Sequence, residues 1–246
     1  MSLIPCRVLP FLDAPGPRQM ALDHALLDSV DRDPRFAVFR TYSWNEPTLS
    51  LGYFQEIEEA EREGRFADVA IVRRLTGGGA IWHDRDLTYA LIVPRTLEVA
   101  RRASDLYRAV HGAIADSLAS LGVNVQPRGK DARDQENRPF LCFLDRDPED
   151  LVFGGSKVVG SAQRRRPAAV LQHGSILLRR SPTVPELPGL VELAGFERSE
   201  SGVFPESFFR SLGLDPRPSR LSEEEEREAG RLEGEVYRDS AWTRKR

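Results

Sequence analysis

The chain has two cysteines, Cys6 and Cys142, among its 246 residues. Two cannot build a disulfide framework; they suit a reducing cytoplasm, where a lone cysteine is a buried hydrophobe or a nucleophile. Histidine is also scarce, with four in all, and their scatter fits no zinc site, so no metal is expected. No apolar run approaches the roughly 18 residues that a membrane span requires. The N-terminus, Met1 to Arg7, has no basic segment followed by an apolar one, so no secretory signal is expected. Neither charge sign dominates, and a net charge of −3 gives no electrostatic reason to expect nucleic acid. There is no internal repeat and no low-complexity stretch. These absences point to a cytoplasmic protein without nucleic acid or membrane partners.

What is present is ordinary for a soluble globular chain, with 40% apolar and 30% charged residues. That length can bury one good core, so residues 1–246 are expected to form a single domain, with 182–246 as a short C-terminal helical segment. Cys6–Phe11 reads as a strand. Pro17 opens a helix striped by Met20, Leu22, Ala25, Leu26 and Val30, and Pro34 closes it. Phe36–Tyr42, Thr48–Tyr53, Val69–Val72 and Leu87–Val93 read as strands, and Glu56–Gly64 as a charged helix stopped by glycine. Leu106, Val110, Ala113, Ile114, Leu118 and Leu121 share one helical face, capped by Gly122. Val123–Gln126 reads as a brief strand, and Arg128–Arg138 as a mobile surface loop. Phe140–Leu144, Leu151–Phe153, Lys157–Gln163 and Val170–Leu178 have strand composition and turn-like separators. Beyond Pro182, Pro185 and Pro188, Ser222 with Glu225 forms a capping box for a last helix, whose Glu223–Glu226 run is placed on its solvated face. Many strands and few long helices predict an α+β fold with a mixed, mostly antiparallel sheet flanked by helices.

Two stretches stand out chemically. In the first, Arg73-Arg74-Leu75-Thr76-Gly77-Gly78-Gly79-Ala80-Ile81-Trp82-His83-Asp84, three glycines remove every Cβ from one wall, so a ligand can lie against bare N–H groups. The bland alternative is a glycine-rich turn, which the flanking arginines and His-Asp weaken. The second is Gly154-Gly155-Ser156-Lys157-Val158-Val159-Gly160-Ser161-Ala162-Gln163-Arg164, where a lysine between a Gly-Gly turn and an apolar strand either points at something on the sheet or is a solvated hairpin residue. It is no Walker A loop, because Val158 follows the lysine. Leu141-Cys142-Phe143 alone reads as core packing.

Together, Arg-Arg-x-Thr-Gly-Gly-Gly-Ala-x-x-His-Asp, Lys-Val-x-Gly-Ser-Ala-Gln-Arg and Leu171-Gln172-His173-Gly174-Ser175 resemble the motifs of the lipoate–protein ligase A and octanoyltransferase family, relatives of the biotin–protein ligases. The resemblance extends from the Met20-Ala21-Leu22-Asp23 helix to Leu232-Glu233-x-x-Val236-Tyr237-x-x-x-x-Trp242. In the ligase branch the motif lysine contacts an acyl-adenylate. In the transferase branch a cysteine upstream of it carries the acyl chain as a thioester. Cys142 ahead of Lys157 matches the transferase nucleophile, and Asp86-Leu87-Thr88-Tyr89 looks more like the transferases. Gly79 departs from the pattern, standing where many transferases of this type have arginine.

The resemblance implies catalytic Cys142 and Lys157. It implies a substrate pocket of Arg74, Gly77, Gly78, Gly79, His83, Ser161, Ala162, His173 and Gly174. Octanoyl would pass from acyl carrier protein to Cys142, then to the lysine of a lipoyl domain or the glycine-cleavage H protein, without a cofactor. The alternatives are an ATP- and Mg-dependent lipoate ligase and a non-catalytic lipoyl-domain binder. The chemistry fits: a free thiol, pKa about 8.5, is mostly protonated at neutral pH, and an ammonium beside it favours the thiolate and could steady an oxyanion. Backbone N–H groups near Ser161 and Ala162 are candidates to bind the acyl carbonyl. His83 and His173 either line the pocket or hold strands in register. A triad of Cys142, His83 and Asp84 is disfavoured, because sequence neighbours on a strand face opposite ways. Arg164-Arg165-Arg166 reads as a solvated hairpin tip or a dock for an acidic carrier protein, and Cys6 as structural.

Overall fold

The computed structural model describes residues 3–129, 139–145, 147–196 and 203–246. The main sheet contains β1 (Ile4–Val8), β2 (Leu12–Ala14), β3 (Ala37–Trp44), β7 (Asp86–Pro94), β8 (Gln126–Pro127), β9 (Leu151–Phe153), β10 (Ser156–Arg165), β11 (Ala169–Leu177) and β12 (Leu214–Pro218). Its order is β12-β1-β3-β7-β11-β10-β9-β8, with β2 beside β3. From β3 through β8 every pairing is antiparallel, and β12, β1, β2 and β3 pair in parallel. A small sheet of β4 (Thr48–Leu51), β5 (Ala70–Arg73) and β6 (Ile81–His83) has the order β5-β4-β6. The mixed, mostly antiparallel α+β architecture is as expected.

The centre of the sheet is covered on both faces, so β7 is buried along its whole length. Its residues alternate between two cores, as the two-residue period of a strand requires. Leu87, Tyr89, Leu91 and Val93 face α3 (Ala103–Ser120) and α5 (Glu206–Ser211). Ala90 and Ile92 face α1 (Gly16–Arg32), whose Met20, Leu22, Leu26 and Val30 are buried. A third cluster joins the small sheet to Leu141 and Phe143 and to Ile57 of α2 (Ile57–Arg62). The segment after Pro182 holds α4 (Leu190–Ala194), α5, β12, α6 (Glu223–Leu232) and α7 (Ser240–Thr243). It does not stand apart: β12 extends the main sheet and α6 packs on α1.

Several local expectations change. Phe140–Leu144 is no strand: Leu141 makes a single bridge to Ala80, and Cys142–Leu144 is one 3-10 turn. The strand expected at Val123–Gln126 is only Gln126–Pro127. The loop expected at Arg128–Arg138 lies almost wholly outside the described residues. The capping box of α6 forms, but Glu225 is buried rather than solvated, accepting from Arg7 at 2.6 Å and from Ser29 at 2.9 Å. The arginine triplet is only partly a free tip: Arg166 lies 3.2 Å from Asp28, and Arg165 donates to the Ala100 carbonyl. Cys6 is fully buried, and burial pushes its thiol up to about 12, as suits packing.

Candidate active site

The glycine loop is held by the arginine that precedes it. Arg74 is buried and donates to Ser50 O and Oγ, to Thr76 Oγ1, and to the carbonyls of Gly77 (2.9 Å) and Gly79 (2.7 Å). A guanidinium has five N–H groups, and these contacts use all of them. Arg74 therefore shapes the pocket rather than offering a free charge to substrate, despite burial lowering its pKa to about 10. Arg73 works in the other direction, binding the carbonyls of Gly52, Gln55 and Thr243, which ties the tail to the back of the loop.

The three glycines differ in what they face. Gly78 has φ +94°, a left-handed conformation that favours glycine, and it alone of the three borders the inner cavity. A Cβ on Gly77 would meet the exposed ring of Phe54, and one on Gly79 would come 3.0 Å from the Cys142 nitrogen. The bare wall is thus one residue wide, and Gly79 serves to let the Cys142 backbone approach. That contact accounts for a glycine at this position: a side chain here would have to displace the Cys142 segment. Two hydrogen bonds fix it, Ala80 N–H to Phe140 O at 2.9 Å and Cys142 N–H to Ala80 O at 2.7 Å.

Lys157 comes to the same place from β10. The strand pairs with β9 through the Gly154-Gly155 turn and then bulges, its register slipping between Lys157 and Val159. The bulge places Lys157 and Gly160 together, where a Cβ on Gly160 would strike Lys157 Cε at 2.6 Å. In that room Lys157 Nζ lies 2.9 Å from Asp150 Oδ2, 2.9 Å from Cys142 O and 3.5 Å from Cys142 Sγ. Burial disfavours the ammonium, yet the sulfur and the Asp150 carboxylate together hold its pKa above the usual value. The three donors of an ammonium are all directed at these partners, so none is spare for an oxyanion.

Cys142 is half-buried and borders a narrow cavity. Met20, Tyr42, Trp44, Ser50, Arg74, Gly78, Ile81, His83, Thr88, Ser161, Ala162, His173, Gly174 and Ser175 complete its lining. Of the residues predicted for the site, Gly77 and Gly79 lie outside this lining, and Lys157 reaches it only through the sulfur. An outer groove over Phe54, Glu59 and Glu63 meets the cavity at Gly78.

Both histidines line the cavity and brace it as well. His83 stacks on Trp44 with ring centroids 3.9 Å apart, and bonds Asp86 at 2.8 Å and Ser50 at 2.9 Å. Its carboxylate partner is Asp86, not its neighbour Asp84. Burial lowers the His83 pKa against the pull of Asp86, so at neutral pH Nδ1 carries the proton and Nε2 accepts from Ser50. His173 links Asp23 on α1, 2.8 Å away, to Thr76 in the glycine loop at 2.7 Å.

The expected carbonyl-binding amides are not free. The Ser161 N–H donates to Tyr107 Oη at 3.0 Å, and Tyr107 O–H donates back to the Ser161 carbonyl at 2.8 Å. Because backbone groups alternate sides along a strand, Ala162 directs its own toward His173 on β11. Asp150 and His111 were not read from the sequence, and Asp86 entered only as part of the run Asp86-Leu87-Thr88-Tyr89. Asp150 was within reach: the Gly-Gly turn pairs Lys157 with Val152, which brings the residues just before β9 alongside the lysine. His111 lies on the buried stripe of α3 and carried no signal.

The catalytic-domain model of the lipoyl protein ligase A/B family matches residues 15–184. The octanoyltransferase LipM of Symbiobacterium thermophilum is 33% identical over 261 residues, covering 93% of this chain and 94% of that one. LipM of Staphylococcus epidermidis is 30% identical over 264 residues, covering 91% and 92%. Among solved structures, lipoate-protein ligase A bound with ATP aligns over 98% of both chains with a TM-score of 0.78 and 24% identity. The bi-partite lipoate protein ligase of Thermoplasma acidophilum covers 98% of this chain and 96% of its own, with a TM-score of 0.75 and 23% identity. At such identities these two speak to the fold alone. The chain belongs to the lipoyl protein ligase A/B catalytic-domain family.

Proposed function

We propose that this protein is an octanoyltransferase of protein lipoylation, which takes octanoyl from acyl carrier protein onto Cys142 and passes it to a lysine of a lipoyl domain. The observation that carries this reading is the Lys157 ammonium 3.5 Å from a sulfur that borders a closed-in cavity. An adenylate-forming ligase has no use for a thiol at that point. The relatives named octanoyltransferase support the same branch.

The Cys142 thiolate, paired with Lys157, attacks the carbonyl of an octanoyl thioester, and the donor's sulfur leaves. The acyl chain runs into the cavity, where each buried CH₂ contributes about 0.8 kcal/mol. Arg74 pulls the Gly77 carbonyl toward itself and so turns the Gly78 N–H the opposite way, which makes that amide our candidate for the acyl oxygen. One thioester replaces another at nearly equal energy, and the final amide lies downhill, so the reaction needs neither ATP nor metal. Among the described residues no helix is long and apolar enough to cross a membrane; the reading places the work in the cytoplasm, on carrier proteins such as the glycine-cleavage H protein.

Incubation with octanoyl–acyl carrier protein followed by intact mass measurement tests the reading. Wild type should gain one octanoyl group and Cys142→Ala none. An adduct that persists in Cys142→Ala, or pyrophosphate release from free octanoate and MgATP, would overturn it.

A further inference from the structure

Behind the cavity lies a polar chain that the acylation of Cys142 does not use. His111, on α3, is 2% exposed. Its Nδ1 lies 2.6 Å from the Glu149 carbonyl and its Nε2 lies 2.6 Å from Ser161 Oγ. Tyr89 Oη is also 2.6 Å from Ser161 Oγ. Ser161 borders the cavity beside Gly174, whose missing side chain leaves the hydroxyl its place: a Cβ there would sit 2.5 Å from Ser161 Oγ.

The direction of every proton in this chain is fixed by what can donate. A carbonyl only accepts, so His111 Nδ1 must carry the hydrogen, and the bare Nε2 must accept. Burial, with the Lys157 ammonium adding to it, pushes His111 down to about 4, which keeps the ring neutral at physiological pH. The Ser161 O–H therefore points at His111, and Tyr89 donates to Ser161. A hydroxyl oxygen has two lone pairs; Tyr89 takes one, and the other is left for the cavity. Ser161 thus presents an acceptor to whatever enters, backed by a second acceptor behind it.

We infer that Ser161, backed by His111, removes the proton from the acceptor lysine amine in the second half of the reaction. This rests on the acyl-transfer reading above. The amine nitrogen attacks the carbonyl carbon of octanoyl-Cys142 and the C–N bond forms. One N–H proton passes to Ser161 Oγ as the Ser161 proton passes to His111 Nε2. The carbonyl re-forms, the C–S bond breaks, and the sulfur leaves as a thiolate against Lys157. His111 then releases its proton to water by the reverse path. The nitrogen becomes strongly acidic only once it is bonded to carbon, so a weak base suffices for a proton given up late. Acylation of Cys142 does not call on this relay, because there one sulfur replaces another and no amine proton has to be removed. Ser161 touches the substrate; His111 acts through it.

The two halves can be measured apart. Cys142 is loaded from octanoyl–acyl carrier protein, and the isolated adduct is then mixed with a purified lipoyl domain or with hydroxylamine, a nucleophile that needs no base. In Ser161→Ala and His111→Phe, transfer to the lipoyl domain should fall about 100-fold further than either loading of Cys142 or stripping by hydroxylamine, as for loss of a general base. The double variant should be no slower than either single one, because the pair acts as a unit. The inference is overturned if loading and transfer fall together, if transfer is unaffected in Ser161→Ala, or if hydroxylamine cleavage slows as much as transfer. Failure of wild type to form any adduct removes the acyl-transfer reading itself, and the relay with it.

Discussion

Lys157→Met is the sharpest test of the site as a charge assembly. The substitution keeps a flexible chain of similar length but leaves Asp150, 1% exposed, without its cation at 2.9 Å. Removing one partner of a buried ion pair costs roughly 3–5 kcal/mol, and at about 2–4 °C per kcal/mol for a chain of this size Tm should fall by roughly 6–20 °C. Burial pushes the Asp150 carboxyl up and the Lys157 ammonium draws it back, so in the variant the carboxyl rises further and can take up a proton. A carboxyl whose folded pKa is raised is favourable below its unfolded value and becomes a liability as pH rises through the folded one. The deficit against wild type should therefore be small near pH 4, where an unfolded aspartate titrates at about 3.9, and should grow with pH. Replacing Asp150 by Asn in the same chain removes the stranded charge and should recover most of the loss. Scanning calorimetry from acid to neutral pH on wild type, Lys157→Met and the double variant measures all of this. A deficit that does not change with pH, or a double variant as unstable as the single, would refute the reasoning.

Three further outcomes are expected. His111 moves from the ordinary histidine value near 6.5 down to about 4 on folding, so the unfolded chain binds a proton in that window that the folded chain refuses; stability should fall by up to about 3 kcal/mol as pH drops through it. His111→Phe should lose this dependence in denaturant titrations, and an unchanged slope would sink the assignment. Gly52→Ala places a Cβ 1.9 Å from the Gly78 carbonyl; overpacking should cost about 1–3 kcal/mol and, in the mass assay, abolish loading of Cys142 while circular dichroism stays native. Glu225→Ala removes the carboxylate that accepts from the Ser222 N–H, from Arg7 and from Ser29, and should lower stability by about 1–3 kcal/mol, with loading of Cys142 unchanged at a temperature where the variant is folded.

The parts of the site that were legible in the sequence are those written in local spacing. The Gly-Gly turn ahead of Lys157 and the striped helix with Leu106 and Ile114 fold by rules that operate within a few residues. The α+β class follows from the same signals. What was hidden depends on pairings distant in sequence. Leu141-Cys142-Phe143 has strand composition, yet one bridge to Ala80 and a turn decide its shape. Arg74 entered the pocket through the resemblance, and nothing local shows that the loop's own carbonyls consume its donors. Glu225 looked solvated because its partners, Arg7 and Ser29, lie some two hundred positions away. His111 sits among apolar residues on a helix, and only the placement of β10 against that helix gives it a role.

The two hydrogen bonds between Ala80 and residues 140 and 142 have a mechanical consequence. They clamp the Cys142 sulfur to the glycine loop that shapes the cavity. A ligand that pries this turn open must carry the sulfur along, so the width of the pocket and the position of the thiol change in step.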